Sequence, residues 1–154
     1  MSSYQVEVIV RAPFAGRVSR RWLRDVVVIA LEVENQPEGT ELTLLVTDDE
    51  EIQALNKKYR DTDRPTDVLA FGDSEEETFV LPKGFPIYLG DVVVSYPRAV
   101  AQAESARHSV KEELALLIIH GCLHLLGYEH SEEQQRREMW GRQKEIKDTF
   151  FARG

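Results

Sequence analysis

The segment 114–126 constrains the fold of this chain most, because apolar residues occur on almost every side of the helix that it predicts. Ser109 followed three positions later by Glu112 is a capping-box pattern, which predicts that the helix begins there. Gly127 is placed to end the helix, since glycine adopts a left-handed backbone at no steric cost. A helix that is apolar all round must be surrounded by protein. We therefore predict a buried central helix against which the rest of the chain packs.

Strand and helix patterns alternate along the rest of the chain, with no linker-like stretch between them. Four segments have the alternating or continuous apolar pattern of strands: 4–10, 41–47, 67–71 and 88–95. Three further helices are predicted, each beginning after a residue type that caps helices: Ser19, Asp48 and Ser131. The acidic stretch 72–84 is predicted to be a long loop. We predict one α+β domain, residues 1–154, in which a small mixed four-stranded sheet packs with helices around the central helix.

Composition excludes several classes of protein and of partner. With 42% hydrophobic and 30% charged residues, the chain is neither disordered nor fibrous. The single cysteine, Cys122, excludes an intrachain disulfide. No basic leader and no apolar run of about 18 residues is present, so we expect a cytoplasmic protein without a membrane partner.

The net charge of −8 argues against nucleic-acid binding through a broadly basic surface. The sequence pI is about 5.1, whereas domains that bind by bulk electrostatics usually have a pI above about 9. If RNA is a substrate, attraction must therefore be local, through a metal ion and a few arginines. No DNA partner is expected.

Three of the four histidines lie within residues 120–130, at the end of the predicted central helix. His120 and His124 are four positions apart, so they point the same way and lie about 6 Å apart along the axis. The break at Gly127 allows the chain to bring His130 back as a third ligand. Imidazole is a preferred zinc ligand, and three protein ligands leave one position open for water, as in catalytic zinc sites. We therefore predict one zinc ion on His120, His124 and His130, in a site suited to hydrolysis.

The histidine spacing is also that of a known zinc-protease pattern, with one decisive substitution. In those proteases a glutamate beside the first histidine is the general base, and this chain has Gly121 there. Glycine has no side chain to accept a proton, so the ligand pattern is kept while the peptidase base is absent. Cys122 is interpreted as a small core residue rather than a fourth ligand, and His108 as an ordinary hydrogen-bonded residue.

Four segments together resemble the YbeY family of bacterial metal-dependent endoribonucleases, and the resemblance covers most of the chain. The segments are residues 55–60, 64–71, 89–91 and 120–130. The resemblance implies a small mixed sheet packed against helices, zinc on the three histidines, and an Arg60 that serves RNA cleavage. It also implies single-strand-specific cleavage in 3′ end maturation of the small-subunit (16S) ribosomal RNA and in ribosome quality control. Its implied partners are ribosomal RNA and the ribosome or a small-subunit ribosomal protein.

Two residues near the predicted metal carry alternative interpretations. Arg60 could bind the scissile phosphate through its planar fork, or form surface ion pairs with Asp61 and Asp63 worth about 0–1 kcal/mol. Glu129 stands where the family usually has aspartate. It could accept a hydrogen bond from a ligand imidazole, carry a proton for the attacking water, or be a solvated loop carboxylate.

Two other functions stay open at this stage. The first is a metalloprotease-like hydrolase, which the ligand spacing favours and Gly121 opposes. The second is a non-catalytic ribosome-assembly factor in which the metal only stabilises the fold.

Overall fold

A computed structural model describes residues 4–72, 88–129 and 131–153. The strands are β1 (Gln5–Val10), β2 (Glu41–Thr47), β3 (Val68–Gly72) and β4 (Tyr88–Ser95). The α-helices are α1 (Arg20–Val33), α2 (Asp49–Arg60), α3 (Tyr96–Ala106), α4 (Val110–Leu125) and α5 (Glu133–Arg153), and a short 3-10 turn occupies Ala12–Phe14. Apart from Gly72, which belongs to β3, the predicted loop at 72–84 lies outside the described residues.

The four strands form one mixed sheet in the order β1-β2-β4-β3. β1, β2 and β4 run parallel, and β3 pairs antiparallel with β4 at the edge of the sheet. The predicted α+β class and the mixed four-stranded sheet are thereby confirmed. None of the helices in the described part of the chain is both long and apolar enough to cross a lipid bilayer.

Side chains on the two faces of the sheet enter different apolar clusters. Alternate residues of the strands, such as Leu44 and Val92, join α1, α4 and α5 in the main core. The opposite face carries a smaller cluster in which Leu69 and Val93 pack with Ile52 of α2. β4 contributes to both clusters, as expected of a strand whose apolar run is continuous.

Helix α4 occupies the central position that its sequence predicts, since it contacts α1, α3, α5 and the strands β3 and β4. Ser109 caps it, accepting a hydrogen bond at its Oγ from the backbone N–H of Glu112 at 3.1 Å. At the other end Gly127 has a φ of 99°, and the N–H groups of Gly127 and Tyr128 donate to the carbonyls of His124 and Leu123. This pair of bonds is the Schellman arrangement that ends helices at a left-handed glycine.

Two elements were not predicted from the sequence: the 3-10 turn and helix α3. Helix α3 follows β4 without a loop, so no turn residues mark the boundary. Only Ala99 and Ala103 among its residues are buried, and two alanines give a weak apolar pattern in the sequence. Its start signals are nevertheless present, because the Ser95 hydroxyl accepts from the Arg98 N–H and Pro97 lies in the first turn.

Helix α4 lies close against the sheet at Gly121. A Cβ atom at this position would lie 2.6 Å from Cγ1 of Val92 and 3.3 Å from Cγ2 of Val68. Val92 is fully buried, and its branched side chain has little freedom to move away. Glycine at 121 therefore allows the helix to pack directly on β3 and β4.

We predict that Gly121→Ala destabilises the fold although alanine is the better helix former. Overpacking against Val92 is expected to lower the free energy of unfolding by about 1–3 kcal/mol, measured by urea denaturation. The control is Gly141→Ala, also within a helix, where a Cβ atom would meet no atom within 4 Å. That variant should be unchanged or more stable by up to about 1 kcal/mol. Equal effects of the two substitutions would contradict the packing argument.

Candidate metal centre and its surroundings

The His120 and His124 side chains lie together on the last two turns of α4, and both are partly exposed. Their ring centroids are 4.8 Å apart, with an angle of 77° between the ring planes. An imidazole nitrogen binds zinc at about 2.0–2.1 Å, so two rings at tetrahedral positions around one ion have centres about 5 Å apart. The spacing and the nitrogen donors of this pair therefore fit two ligands of a single zinc ion.

The third predicted ligand, His130, lies outside the described residues. Within residues 4–72, 88–129 and 131–153, no group of three or more His, Cys, Asp or Glu side chains is arranged to hold a metal ion. The ligand role of His130 stays a prediction, and so do the three-histidine site and the zinc ion.

The turn that leads from α4 towards His130 is hydrogen-bonded to the buried carboxylate of Glu34, at the C-terminal end of α1. The Tyr128 hydroxyl donates to Glu34 Oε1 at 2.7 Å, and Arg142 of α5 donates from Nε to Glu34 Oε2 at 2.8 Å. Only 7% of the Glu34 side chain is exposed. The hydrogen bond to Glu34, with burial, raises the pKa of Tyr128, and that of Arg142 is raised by the same carboxylate. The network joins the C-terminal end of α1, the turn after α4 and helix α5.

The next residue of α5, Gln143, reaches the histidine pair itself. Its Oε1 lies 3.1 Å from Nδ1 of His120. Arg142 and Gln143 thus contact α1 and α4 respectively, so one short stretch of α5 contacts both sides of the turn.

Two interpretations made from the sequence are confirmed by the contacts. Cys122 is fully buried in the main core, and burial raises the pKa of its thiol to about 12. His108 is hydrogen-bonded: its Nε2 lies 2.6 Å from Glu113 Oε1 and its Nδ1 lies 3.3 Å from Glu112 Oε2.

Arg60 is exposed at the last residue of α2 and is held against β3. Its guanidinium carbon lies 5.4 Å from the centre of the Phe71 ring, and Nη2 donates to the carbonyl of Ala70. The ion pairs proposed with its acidic neighbours are not what the structure shows. Asp63 instead lies 3.9 Å from Lys57 Nζ, and Asp61 serves as the left-handed residue that ends α2, with a φ of 53°.

Arg60 and the histidines are supported by opposite faces of the sheet. Phe71, under the guanidinium, belongs to the cluster on the α2 face, whereas Val68 packs in the main core with α4. Both residues are on β3, the edge strand. A substrate that contacts Arg60 and the histidines would therefore have to pass around this edge.

Glu129 is exposed on the turn after α4. It lines an open polar pocket of about 550 Å³ that is also formed by Glu34, Gln36, Gln135 and Glu138. The position is next to the predicted ligand His130, and the roles considered for this carboxylate stay predictions.

Comparison with known proteins identifies the family of this chain. The family described as endoribonuclease YbeY matches residues 12–150. The chain is 45% identical over 133 residues to endoribonuclease YbeY of Bacillus mycoides (strain KBAB4), covering 83% of this chain and 84% of that protein. It is 45% identical over 136 residues to the protein of the same name from Dehalococcoides mccartyi, covering 83% and 85% of the two chains. The chain belongs to the YbeY endoribonuclease family.

A solved structure agrees with the fold. The solution structure of a protein from Thermotoga maritima aligns with a TM-score of 0.65 and 25% identity, over 97% of this chain and 91% of that one. The resemblance noted from the four sequence segments is therefore confirmed, both as a family and as a fold.

Sequence reasoning about this YbeY family member missed the residues around the histidines. Gln143 and Arg142 lie in a polar stretch of α5 whose sequence predicts a solvent-exposed surface. Glu34, at the end of α1, belongs to no recognisable sequence motif. The one available signal was helical spacing, because Gln143 is four and three positions from the core residues Met139 and Ile146. Only tertiary contacts show which helices these side chains reach.

We predict that Glu34→Gln weakens the fold around the turn. The substitution leaves Arg142 without its partly buried counter-charge, which is expected to cost about 1–3 kcal/mol of unfolding free energy. The same substitution at Glu133 breaks an exposed pair with Arg137, whose side chains are 74% and 75% exposed. It should cost about 0–0.5 kcal/mol. Urea denaturation of both variants checks the comparison, and similar losses would show that burial of Glu34 is unimportant.

Proposed function

We propose that this chain is a zinc-dependent endoribonuclease that cleaves single-stranded ribosomal RNA in the cytoplasm. Its role would be in 3′ end maturation of the 16S RNA and in ribosome quality control, with the ribosome or a small-subunit ribosomal protein as partner. The observation that carries the proposal is the close pair of imidazoles on a buried helix in a member of the YbeY family. Metal dependence, the ribosomal substrate and the location in the cell belong to the proposal.

His120, His124 and His130 would hold the zinc ion. The chain supplies neutral nitrogen donors from two consecutive turns of α4, and the Schellman turn at Gly127 redirects the backbone before His130. A zinc ion bound there would supply positive charge and an activated water for phosphodiester hydrolysis. Because α4 packs against three helices and two strands, its backbone would hold the first two ligands one turn apart without a further cost in backbone entropy.

Arg60 would bind the phosphate of the RNA. A guanidinium has five N–H donors, so the hydrogen bond from Nη2 to Ala70 leaves donors that can pair with two phosphate oxygens. The stacking on Phe71 holds the planar group at the edge strand. A positioned cation of this kind offsets the charge that builds up on the phosphate in the transition state.

The last turn of α2 provides a local RNA-binding surface on an acidic protein. Lys57, Lys58 and Arg60 lie in this turn, and Tyr59 between them is 57% exposed. The Tyr59 ring packs on Phe71 with centroids 5.2 Å apart, and Lys58 Nζ lies 5.1 Å from the centre of the Tyr59 ring. Exposed aromatic rings among cations are the means by which proteins hold unpaired bases. This arrangement supports a single-stranded substrate.

Glu129 completes the proposed catalytic set as a proton-transfer residue. Its exposed carboxylate precedes His130 directly and faces a polar pocket. A carboxylate in such a place can exchange protons between solvent and the reacting groups.

The metalloprotease alternative is opposed by packing as well as by chemistry. Position 121 faces the sheet, where a side chain would meet Val92 and Val68. A glutamate cannot be accommodated there, so α4 offers no peptidase base beside His120. The alternative of a non-catalytic ribosome-assembly factor is distinguished by replacing a predicted metal ligand.

We expect His124→Ala to lose both the metal and RNA cleavage. Elemental analysis should find about one zinc per wild-type chain and little in the variant, and cleavage of single-stranded 16S precursor RNA should fall to background. Unfolded casein should be uncut by either protein. The control is His108→Gln, which keeps a hydrogen-bond donor beside Glu113 and should retain zinc and activity. A folded, metal-free His124→Ala that still cleaves RNA would refute the proposal, and one that supports ribosome maturation without cleavage would favour the assembly-factor role.

Arg60→Ala should reduce RNA cleavage by about 10²–10³-fold, since a donor to the transition-state charge is removed. Zinc content and melting temperature should stay close to those of the wild type, because the side chain is exposed and outside the core. Arg137→Ala removes another exposed arginine, on α5, and should leave cleavage unchanged. Lost stability with intact cleavage would assign Arg60 to folding instead.

A further inference from the structure

We infer that Gln143 is the positioning residue that fixes the His120 ring in the tautomer and orientation needed to bind the metal. The inference rests on the proposed function in one respect, that His120 is a ligand. It concerns a residue on a different helix, α5, which would act on the metal only through the imidazole.

The chemistry of the two atoms determines the direction of the hydrogen bond. Gln143 Oε1 and His120 Nδ1 are 3.1 Å apart, and an amide oxygen can only accept. Nδ1 must therefore carry the proton, and in a neutral imidazole this leaves the lone pair on Nε2. A ring held in this way presents Nε2 as the ligand atom. Hydrogen bonds of this kind raise the basicity of ligand histidines and restrict their rotation.

The position of Gln143 on α5 is itself held by its neighbours. Met139 and Ile146, on either side of it along the helix, are fully buried in the main core. Arg142 pairs with Glu34, the residue that follows α1, and Lys147 Nζ lies 3.2 Å from Glu112 Oε2 of α4. The backbone of α5 is thus fixed against both helices, and Gln143 extends from it towards His120.

The test measures zinc affinity, by competition with a chromophoric chelator, for four proteins: the wild type, Gln143→Ala, Gln143→Glu and Lys147→Ala. Gln143→Ala removes the acceptor and should weaken zinc binding about 10–100-fold. Gln143→Glu keeps an oxygen that can only accept and should bind zinc within about threefold of the wild type, or more tightly. This conservative variant also tests that the amide group accepts rather than donates, since a carboxylate cannot replace a donating NH₂ group.

Lys147→Ala is the control for a merely structural role. It removes a different polar contact between α5 and α4, with Glu112 and not with a histidine, so it should leave zinc affinity within about threefold of the wild type. Three results would overturn the inference: unchanged affinity in Gln143→Ala, an equal loss in Gln143→Glu, or an equal loss in Lys147→Ala.

A second measurement separates this inference from the proposed function. In metal-free protein at pH 8, nitrogen-15 NMR of the imidazoles should show His120 in the Nδ1–H tautomer in the wild type and in Gln143→Glu. In Gln143→Ala the Nε2–H tautomer should gain population. If the wild type binds no zinc, the proposed function fails, but the tautomer of His120 still shows whether Gln143 positions the ring. A wild-type His120 that carries its proton mainly at Nε2 would refute the positioning role of Gln143, whether or not the protein cleaves RNA.

Discussion

The direct packing of α4 on the sheet at Gly121 is the contact on which the rest of the structure depends. Because a helix turns by about 100° per residue, the residue that faces the sheet determines where its neighbours point. With Gly121 against Val92, His120 and His124 lie on one flank of the helix, beside the sheet rather than over it. Gly121, which stands where zinc proteases have their catalytic glutamate, therefore also fixes the rotation of the helix that carries the histidines.

Helix α5 provides the second constraint, because it covers the flank of α4 on which the histidines lie. Its apolar residues Met139, Ile146 and Phe150 join the main core, while the polar residues between them reach specific partners. Burial of these apolar residues fixes how close α5 lies to its neighbours, and this brings its polar side chains within hydrogen-bonding distance of Glu34 and His120. If His130 binds a metal ion as proposed, the turn before it needs such support, since sites on loops are less precise than sites on helices and strands.

Most of the fold could be predicted from the sequence because its signals are local. The capping residues Ser19, Asp48 and Ser109 all accept the expected backbone hydrogen bonds, and Gly127 ends α4 as predicted. Helix α3 was missed because it buries only two alanines and follows β4 without a loop. The residues around the histidines could not be found in this way, since Glu34 and Arg142 are far apart in the chain and meet only through packing.

The acidic composition and a nucleic-acid substrate are compatible because of where the charges lie. Many cations are already paired with carboxylates on neighbouring turns, as Arg137 is with Glu133 and Lys144 with Asp148. Such pairs contribute little field at a distance, because the opposite charges of each pair largely cancel and salt screens what remains within about 10 Å. In the last turn of α2, Arg60 lies over the ring of Phe71 and Lys58 over the ring of Tyr59. On the proposed RNA-binding surface, these two cations would attract a phosphate backbone although the chain as a whole is acidic.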